Sequence, residues 1–302
     1  AIVTCPVCQS TIDGKTTRKL FNEGQSTEQL TAVISYNKQK VGKNYRVANQ
    51  KDTEIFHKAE EYLKRKRKEI LQEIGMDPIP DEDLPPTGTL GFRIQKYGFK
   101  KWGDIFNSRQ KLTLLIFSEK IRKAYDIMIK EDYTQEYAKA IITFLALGVD
   151  RLANYGSSLC YLNPTGGRGV ANTFGRHVLN MVPNYAESNP FNPAGAGWLK
   201  ACESNEEWIN HVNTLTFNLV NIKQASATSI PYTDNYFDAV FTDPPYYDNI
   251  AYSYLSDFFY VWLKRIIGGL YPDLFSTPLT PKSEEIVAYS NIPGGAKKAK
   301  EL

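Results

Sequence analysis

The stretch FDAVFTDPPYYDNIAY, residues 237–252, constrains the fold more than any other part of this 302-residue chain. The run at 237–242 alternates weakly and is rich in aromatic and β-branched residues, which predicts a buried strand of a mostly parallel sheet. Two consecutive prolines must end that strand, because neither can donate a backbone hydrogen bond to the sheet. Asp243 and the tyrosines after it are therefore expected at the carboxyl edge of a strand, where open α/β sheets bind their ligands.

Charge, hydropathy and cysteine content set the expected compartment. The formal net charge is +3 at pH 7, which permits nucleic-acid binding without requiring it. No apolar run reaches the length of a membrane span, and the N-terminal AIVTCPVC lacks a basic region followed by an apolar core. Two of the four cysteines form one CxxC motif, which fits a metal site in a reducing compartment better than a disulfide framework. We expect a cytoplasmic protein with no membrane partner.

The pattern along the chain changes twice and predicts three regions. Residues 1–50 are short, polar and β-like, and predict a small β segment. Residues 51–200 predict mainly helices, at about 53–74, 108–130 and 134–155, from apolar residues three and four apart and from suitable capping residues. The linker DPIPDEDLPPTGTLG after the first of these helices predicts an extended, exposed connection, because it is rich in proline and acid. Residues 163–198 predict a long irregular loop.

Residues 201–302 predict an α/β unit. A capping box from Ser204 to Glu207 would open a helix of about a dozen residues, followed by strands at 219–222 and 237–242 and by the helix SYLSDFFYVWLKR. The order helix, strand, loop, strand, helix indicates part of a parallel, Rossmann-like sheet. The expected fold class is α/β, with a partial Rossmann-like sheet, a mainly helical insertion and a small β segment.

Several stretches together resemble one family. The tetrad DPPY resembles the catalytic motif of S-adenosylmethionine-dependent amino-methyltransferases that modify N6 of adenine or N4 of cytosine in DNA. More of the chain is similar to the adenine-specific DNA methylases that carry a zinc-ribbon insertion. The matching stretches are CPVC, LPPTGTLGFRIQKYGFKKWGDIFNSRQ, RGVANTFGRH, QASATSIP and TDPPYYDNIAYSYLSDFFYVWLKR. The resemblance implies methyl transfer to N6 of adenine in DNA, with cytosine N4 as the alternative for the same tetrad.

The residues of the tetrad suit the methylation of an amine. An exocyclic base amine is a poor nucleophile because its lone pair is delocalised into the ring, so an enzyme must orient the nitrogen and accept its hydrogens. The resemblance implies that Asp243 and the carbonyl of Pro244 accept these hydrogens, and such positioning can lower a barrier by roughly 7 to 11 kcal/mol. It also implies that Pro245 shapes the turn and that Tyr246 stacks on a base extruded from the duplex. The alternative is an ordinary exposed turn followed by packing tyrosines.

The resemblance implies S-adenosylmethionine as the methyl donor, bound beside Asp243. Related methyltransferases have an acid that contacts the cofactor's adenine at the position where this chain has Ser226, whose hydrogen bond would be weaker. The amino-acid part of the cofactor requires a glycine-rich turn after a strand, and TGGRGVAN follows no predicted strand. In the family that turn lies upstream of the zinc ribbon. We therefore expect the chain to correspond to the middle and late parts of a longer methylase, with the N-terminal part or another subunit as its partner.

The motif CPVC places Cys5 and Cys8 at the spacing that directs two thiolates toward one tetrahedral zinc ion. Two ligands do not complete such a site, and Cys160 and Cys202 stand apart from the pair. Either further ligands lie outside this sequence or the pair is a surface dithiol. Zinc is therefore an expected cofactor with an incomplete ligand set in this chain.

Contacts with DNA are expected where basic and aromatic residues interleave, in KYGFKKWGD and RGVANTFGRH. The candidates are Lys100, Lys101, Arg168 and Arg176, with Tyr247 or Tyr252 as a second wall beside the target base. The run KRKRK at 64–68 could bind phosphate, but the neighbouring glutamates favour a solvated helix face.

The expected function is that of a site-specific DNA adenine methyltransferase associated with the nucleoid. A different class stays open, because fold does not fix function: a non-catalytic DNA-binding or assembly module of a split methylase. The missing glycine-rich turn is the feature that separates the two.

Overall fold

A computed structural model describes residues 2–5, 8–36, 42–163, 169–193, 195–214, 221–223, 225–227, 229–243 and 249–282. Within these residues the chain is mixed α/β, with six α-helices and two small antiparallel sheets. Strands β1 (Ile2–Thr4) and β2 (Thr11–Asp13) form one sheet, and β3 (Ala32–Tyr36) and β4 (Lys43–Val47) form the other. The helices are α1 (Gly14–Asn22), α2 (Gln50–Ile74), α3 (Ser108–Lys130), α4 (Gln135–Tyr155), α5 (Trp198–Asn213) and α6 (Tyr252–Ile267). Two 3-10 turns, Ile94–Tyr97 and Trp102–Ile105, separate α2 from α3.

The first 50 residues form the expected small β segment, together with a helix that the sequence analysis missed. Helix α1 begins where the Asp13 carboxylate accepts the backbone N–H of Thr16 at 2.6 Å. Phe21 of this helix packs edge-on against Tyr97, with ring centroids 5.8 Å apart. The contact fastens the N-terminal segment to the first 3-10 turn.

Local signals set the ends of the three long helices. Asn49 and Asp52 form a capping box at the start of α2, and Gly75 ends that helix in the left-handed conformation that glycine adopts without strain. Asn107 caps α3 and Thr134 caps α4. The helices predicted at 108–130 and 134–155 are confirmed, and the helix predicted at 53–74 begins slightly earlier.

The predicted start of the next helix at Ser204 is wrong, because packing rather than a capping box sets it. Helix α5 begins at Trp198, whose ring lies 4.8 Å from the Phe117 ring. The same indole packs so closely on α4 that a Cβ on Gly148 would lie 3.0 Å from it. Ser204 lies inside the helix and donates its hydroxyl to the carbonyl of Lys200 at 2.8 Å.

One hydrophobic core joins α3, α4, α6 and the segment between α2 and α3. Its largest buried side chains include Trp102, Phe258 and Trp262, each about 1% exposed. Burying an apolar side chain of this size stabilises the folded chain by roughly 1.5 to 3 kcal/mol. Residues assigned by sequence to 51–200 and to 201–302 therefore share a core.

The linker at 77–91 is not the exposed connection that its prolines and acids predict. Its buried residues are Pro78, Ile79, Pro80, Leu84, Pro85 and Thr89. The physical reason is Arg265 of α6, whose side chain is 2% exposed. This guanidinium donates to the backbone carbonyls of Asp77 at 2.7 Å and Ile79 at 3.3 Å. The linker is thereby held against α6.

The same guanidinium also neutralises the acidic cluster of the linker. It donates to Glu82 Oε1 at 2.9 Å and to Asp81 Oδ1 at 3.1 Å, and its remaining contact is with the Val261 carbonyl at 2.8 Å. A buried charge is tolerated only when it is paired and its hydrogen bonds are satisfied. The acids that suggested exposure are therefore the groups that allow an arginine to be buried.

The predicted strand at 237–242 is absent. Residues 237–243 form no strand, and Val240 and Phe241 are 71% and 95% exposed. A buried parallel strand requires hydrogen-bonded neighbours and covered faces, and the described residues supply neither to this segment. Of the strand predicted at 219–222, residues 219 and 220 lie outside the described residues, and Ile222 is 89% exposed. The structure therefore confirms α/β content but contains no Rossmann-like sheet within the described residues.

Replacing Arg265 by Met should lower the free energy of unfolding by about 3 to 5 kcal/mol, because it leaves buried acceptors of the linker without a donor. The measurement is the urea-unfolding midpoint and slope. Arg65→Met is the matched control, since Arg65 is exposed and lies 3.9 Å from Glu69, and it should cost about 1 kcal/mol or less. Equal losses in the two variants would contradict the structural role assigned to Arg265.

Candidate functional site

The candidate site begins at Asp243 and continues into α6. Asp243 is exposed, whereas Pro244, Pro245, Tyr246 and Tyr247 lie outside the described residues. After them the chain re-enters the fold at once: Ala251 is 2% exposed and immediately precedes the helix. A buried, well-anchored helix therefore begins shortly after the tetrad in the sequence.

Phe258 of α6 contacts aromatic side chains from two of the other resembling stretches. Its ring centroid lies 6.2 Å from Trp102, 5.7 Å from Phe106 and 5.0 Å from Phe174. Trp102 and Phe106 belong to the stretch ending in KKWGDIFNSRQ, and Phe174 belongs to RGVANTFGRH. Two stretches that are distant in sequence therefore pack on the helix that follows DPPY.

The segments around Gly91 and Leu179 run alongside each other near the first half of α6. Leu179 N–H donates to the Gly91 carbonyl at 2.7 Å, and Arg93 N–H donates to the Leu179 carbonyl at 3.2 Å. Gly91 has φ +83°, and a Cβ there would lie 2.9 Å from the His177 carbonyl oxygen and 3.9 Å from Leu255 of α6. Glycine is required here by both the backbone conformation and the close approach.

No family model, curated protein or solved structure matches this chain. No helix among the described residues is long and apolar enough to cross a membrane.

A buried carboxylate fastens the segment after α6 to the first half of that helix. Asp257 is fully buried and accepts the Thr280 N–H at 2.9 Å, the Thr280 hydroxyl at 2.6 Å and the Lys282 ammonium at 3.0 Å. The same ammonium lies 5.1 Å from the centre of the Tyr254 ring. The contact brings the positive charge of Lys282 to the end of α6 that is nearest in sequence to DPPY.

The sequence analysis missed Asp257 and Lys282. The signal was present in SYLSDFFYVWLKR, where a single acid interrupts an otherwise apolar and aromatic run. An acid at such a position is buried when the helix packs, and a buried acid requires a partner. That partner, in TPLTPKS, lies beyond the helix and is found only from the tertiary structure.

Cys5 and Cys8 lie in the turn between β1 and β2. The turn is closed by hydrogen bonds from Cys5 N–H to the Ser10 carbonyl at 2.9 Å and from Gln9 N–H to the Cys5 carbonyl at 3.0 Å. The Cys8 sulfur lies 2.6 Å from the Ser10 hydroxyl, and hydrogen bonds from Ser10 lower the pKa of the Cys8 thiol to about 7. A thiolate available at neutral pH is suited to a metal.

The described residues do not complete a zinc site around this pair. They contain no group of three or more His, Cys, Asp or Glu side chains placed to hold a metal ion. Cys160 is buried, and burial raises the pKa of Cys202 above its ordinary value. Cys5 and Cys8 alone fit half of a tetrahedral zinc ligand set.

The basic residues expected to contact DNA have different surroundings. Lys100 and Arg176 are exposed, and Arg168 lies outside the described residues. Lys101 donates to Asp83 Oδ1 at 2.9 Å and to the Asp81 carbonyl at 2.7 Å, and Asp83 raises the pKa of this ammonium. Lys101 is therefore engaged with the linker.

The aromatic residues interleaved with these cations do not form the expected stacking surface. Trp102 is 1% exposed, and Phe174 lies 5.6 Å from Phe259 as well as 5.0 Å from Phe258. The apolar area of Trp102 is used in the core, so the expectation of base stacking at Trp102 is wrong. Phe174 packs on the core and is half-buried, so stacking there stays a prediction.

Ser226, the candidate cofactor contact, is half-buried in a short turn. It forms a single β-bridge with Ser229, whose N–H donates to the Ser226 carbonyl at 3.1 Å. This turn lies in the QASATSIP stretch, between the two predicted strands, where the sequence predicts a loop.

Asp257→Ala should accelerate amide hydrogen exchange in 277–282 by at least about tenfold, because the Thr280 N–H and the Lys282 ammonium lose their shared acceptor. Exchange measured by mass spectrometry on peptides of this segment tests the expectation. Asp273→Ala is the control, since Asp273 is exposed in the same connection, and it should leave exchange unchanged. Unchanged exchange in Asp257→Ala would show that other contacts hold the segment.

Proposed function

We propose that this chain is the target-base half of an S-adenosylmethionine-dependent DNA methyltransferase that modifies N6 of adenine. One observation carries the proposal: α6 begins at Tyr252, shortly after TDPPY in the sequence, and two of the other resembling stretches pack on this helix through Phe258. Local sequence similarity that is scattered along a chain gains weight when its parts meet in space. The proposal includes DNA as the partner and the nucleoid as the place of action.

In the proposed reaction the Asp243 carboxylate accepts a hydrogen bond from one N–H of the target amine and takes the one proton that the nitrogen releases when it gains the methyl group. This carboxylate is exposed, so a base brought to the protein surface could reach it. The Pro244 carbonyl accepts a hydrogen bond from the second N–H, Pro245 fixes the turn and Tyr246 stacks on the base. S-adenosylmethionine supplies the electrophilic methyl group when it is bound. Asp257 supports the site indirectly, because it fixes the segment that packs on the first half of α6.

Cofactor binding requires more than the described residues contain. They include no strand that ends in a glycine-rich turn, and Ser226 could give one polar contact to the cofactor. We propose that the N-terminal part of the methylase, or another subunit, supplies that turn. Strands from the same source would cover the exposed segment at 237–241.

Exposure of that segment also favours a second candidate, a non-catalytic assembly module of a split methylase. Val240 and Phe241 present apolar side chains with no covering element among the described residues. An exposed apolar segment of this kind marks an interaction surface or an aggregation hazard. Cytosine N4 is the alternative target within the enzymatic proposal, because it presents the same kind of exocyclic amine.

Asp243→Ala should reduce methyl transfer about 100-fold or more, since it removes an acceptor of the amine hydrogens. The assay measures labelled methyl transfer from S-adenosylmethionine to mixed-sequence DNA, followed by nucleoside analysis. It uses this chain alone and this chain together with the N-terminal part or subunit proposed to supply the glycine-rich turn. Asp273→Ala is the control and should retain full transfer.

The products decide between the candidates. Labelled N6-methyladenine supports the proposal, and labelled N4-methylcytosine supports the alternative target. Substantial transfer by Asp243→Ala would remove Asp243 from the mechanism. DNA binding without transfer in either assay would support the assembly module.

We also propose that Cys5 and Cys8 ligate zinc through their thiolates. Two ligands hold the ion weakly, so elemental analysis of the purified chain should give less than one zinc per chain, and Cys5→Ser should remove it. Cys202→Ser, a change at a cysteine outside the CxxC motif, should leave the zinc content unchanged. One full equivalent that resists a chelator would mean that other residues complete the site.

A further inference from the structure

The β3–β4 ribbon presents one apolar and aromatic face. In its register Tyr36 pairs with Lys43, Ile34 with Tyr45 and Ala32 with Val47. Residues paired across an antiparallel ladder point to the same side, and alternate pairs share a face. One face of the ribbon, which we call the Tyr36–Tyr45 face, therefore carries Ala32, Ile34, Tyr36, Lys43, Tyr45 and Val47.

This face is largely uncovered. Exposed fractions are 40% for Ile34, 68% for Tyr36, 63% for Tyr45 and 80% for Val47. Eight of the ten residues in the two strands are exposed, so neither side of the ribbon packs extensively on the helical core. Two-stranded ribbons are only marginally stable when uncovered, and aromatic residues on them indicate a binding surface.

The charge of the ribbon identifies a polyanion as the partner. Residues 29–51 contain five basic residues and no acid. Arg46, on the opposite face, is paired with Asp52 at 2.6 Å, and the half-buried Lys43 lies on the Tyr36–Tyr45 face. Tyrosine rings next to cations match the mixture of base stacking and phosphate attraction that nucleic acids require.

We propose that the Tyr36–Tyr45 face binds single-stranded nucleic acid, with unpaired bases stacked on the two tyrosine rings and the backbone attracted by Lys43. Tyr36 and Tyr45 are diagonal neighbours, at which Cα atoms are typically about 7 to 8 Å apart, so one strand can contact both rings. The sequence tolerance of stacking predicts little base preference. This surface is distinct from the Asp243 site, and its binding requires neither S-adenosylmethionine nor methyl transfer.

A second copy of the chain fits this face less well. A stable protein interface buries about 1,200 to 2,000 Å², far more than one face of a short ribbon offers. The centres of such interfaces are also poor in lysine. Base stacking needs only the rings themselves, and each stacked base adds affinity independently of a large contact area.

The test is fluorescence anisotropy of a labelled, mixed-sequence, single-stranded 20-mer titrated with the intact chain. Tyr36→Ala combined with Tyr45→Ala should raise Kd about tenfold or more, and Tyr36→Phe combined with Tyr45→Phe should stay within about twofold, because phenylalanine also stacks. Lys43→Ala should reduce the slope of log Kd against log salt by about one. All three positions belong to the ribbon, so circular dichroism should show unchanged helix content.

Tyr133→Ala combined with Tyr137→Ala is the matched control, since these tyrosines are 46% and 54% exposed on the helical body. It should bind as the unaltered chain does. Equal losses of affinity in both alanine pairs would overturn the proposal. Binding of duplex but not of single-stranded nucleic acid would also overturn it, as would the absence of binding at 100 times the protein concentration expected to saturate the 20-mer. Sedimentation gives a further check: a dimer of the free chain that the ribbon substitutions dissociate would assign the face to a second copy and overturn the proposal.

Discussion

The buried guanidinium of Arg265 connects α6 to the linker that follows α2. Arg265 enters the core from α6 and donates to the carbonyls of Asp77 and Ile79 and to the carboxylates of Asp81 and Glu82. The guanidinium has five N–H donors for the five acceptors around it, whereas a lysine ammonium has only three donors. Because its acceptors lie just after α2 and the arginine lies near the end of α6, the contact fixes α6 relative to the first half of the chain. The orientation of the candidate site follows from that contact.

The sequence predicts elements well where local signals decide them, as at α2, α3 and α4. Their caps at Asn49, Asn107 and Thr134 are satisfied within a few residues, so no distant part of the chain is needed. Prediction fails where a tertiary contact competes with the local signal. Trp198 begins α5 because its ring packs on the core, although Ser204 offers the better capping pattern. At 77–91 the failure has the same cause, since proline and acid indicate exposure until an arginine is brought to them.

The sequence identifies the residues of the candidate site but not the framework that holds them. The DPPY stretch and the CxxC turn are recognised from residue types alone, and the structure places Asp243 and Cys8 at the surface. The strand expected before Asp243 depends on neighbouring strands, which short-range patterns cannot reveal, and its residues remain exposed instead. Asp257 shows the opposite case, because its importance comes from Thr280 and Lys282, which reach it only when the chain turns back after α6.

Two cations of the basic run are paired with carboxylates of the protein itself. In KRKRK at 64–68, Lys66 donates to the buried Glu119 at 3.0 Å, and Arg67 is paired with Asp77 at the start of the linker. A cation held by a carboxylate attracts phosphate weakly, because the acid cancels its field at a distance. These two charges therefore connect α2 to α3 and to the linker, through carboxylates that lie outside the solvated helix face predicted from the neighbouring glutamates. The segment 29–51 has five basic residues and no acid within it, and it includes a ribbon whose aromatic face the fold leaves largely uncovered.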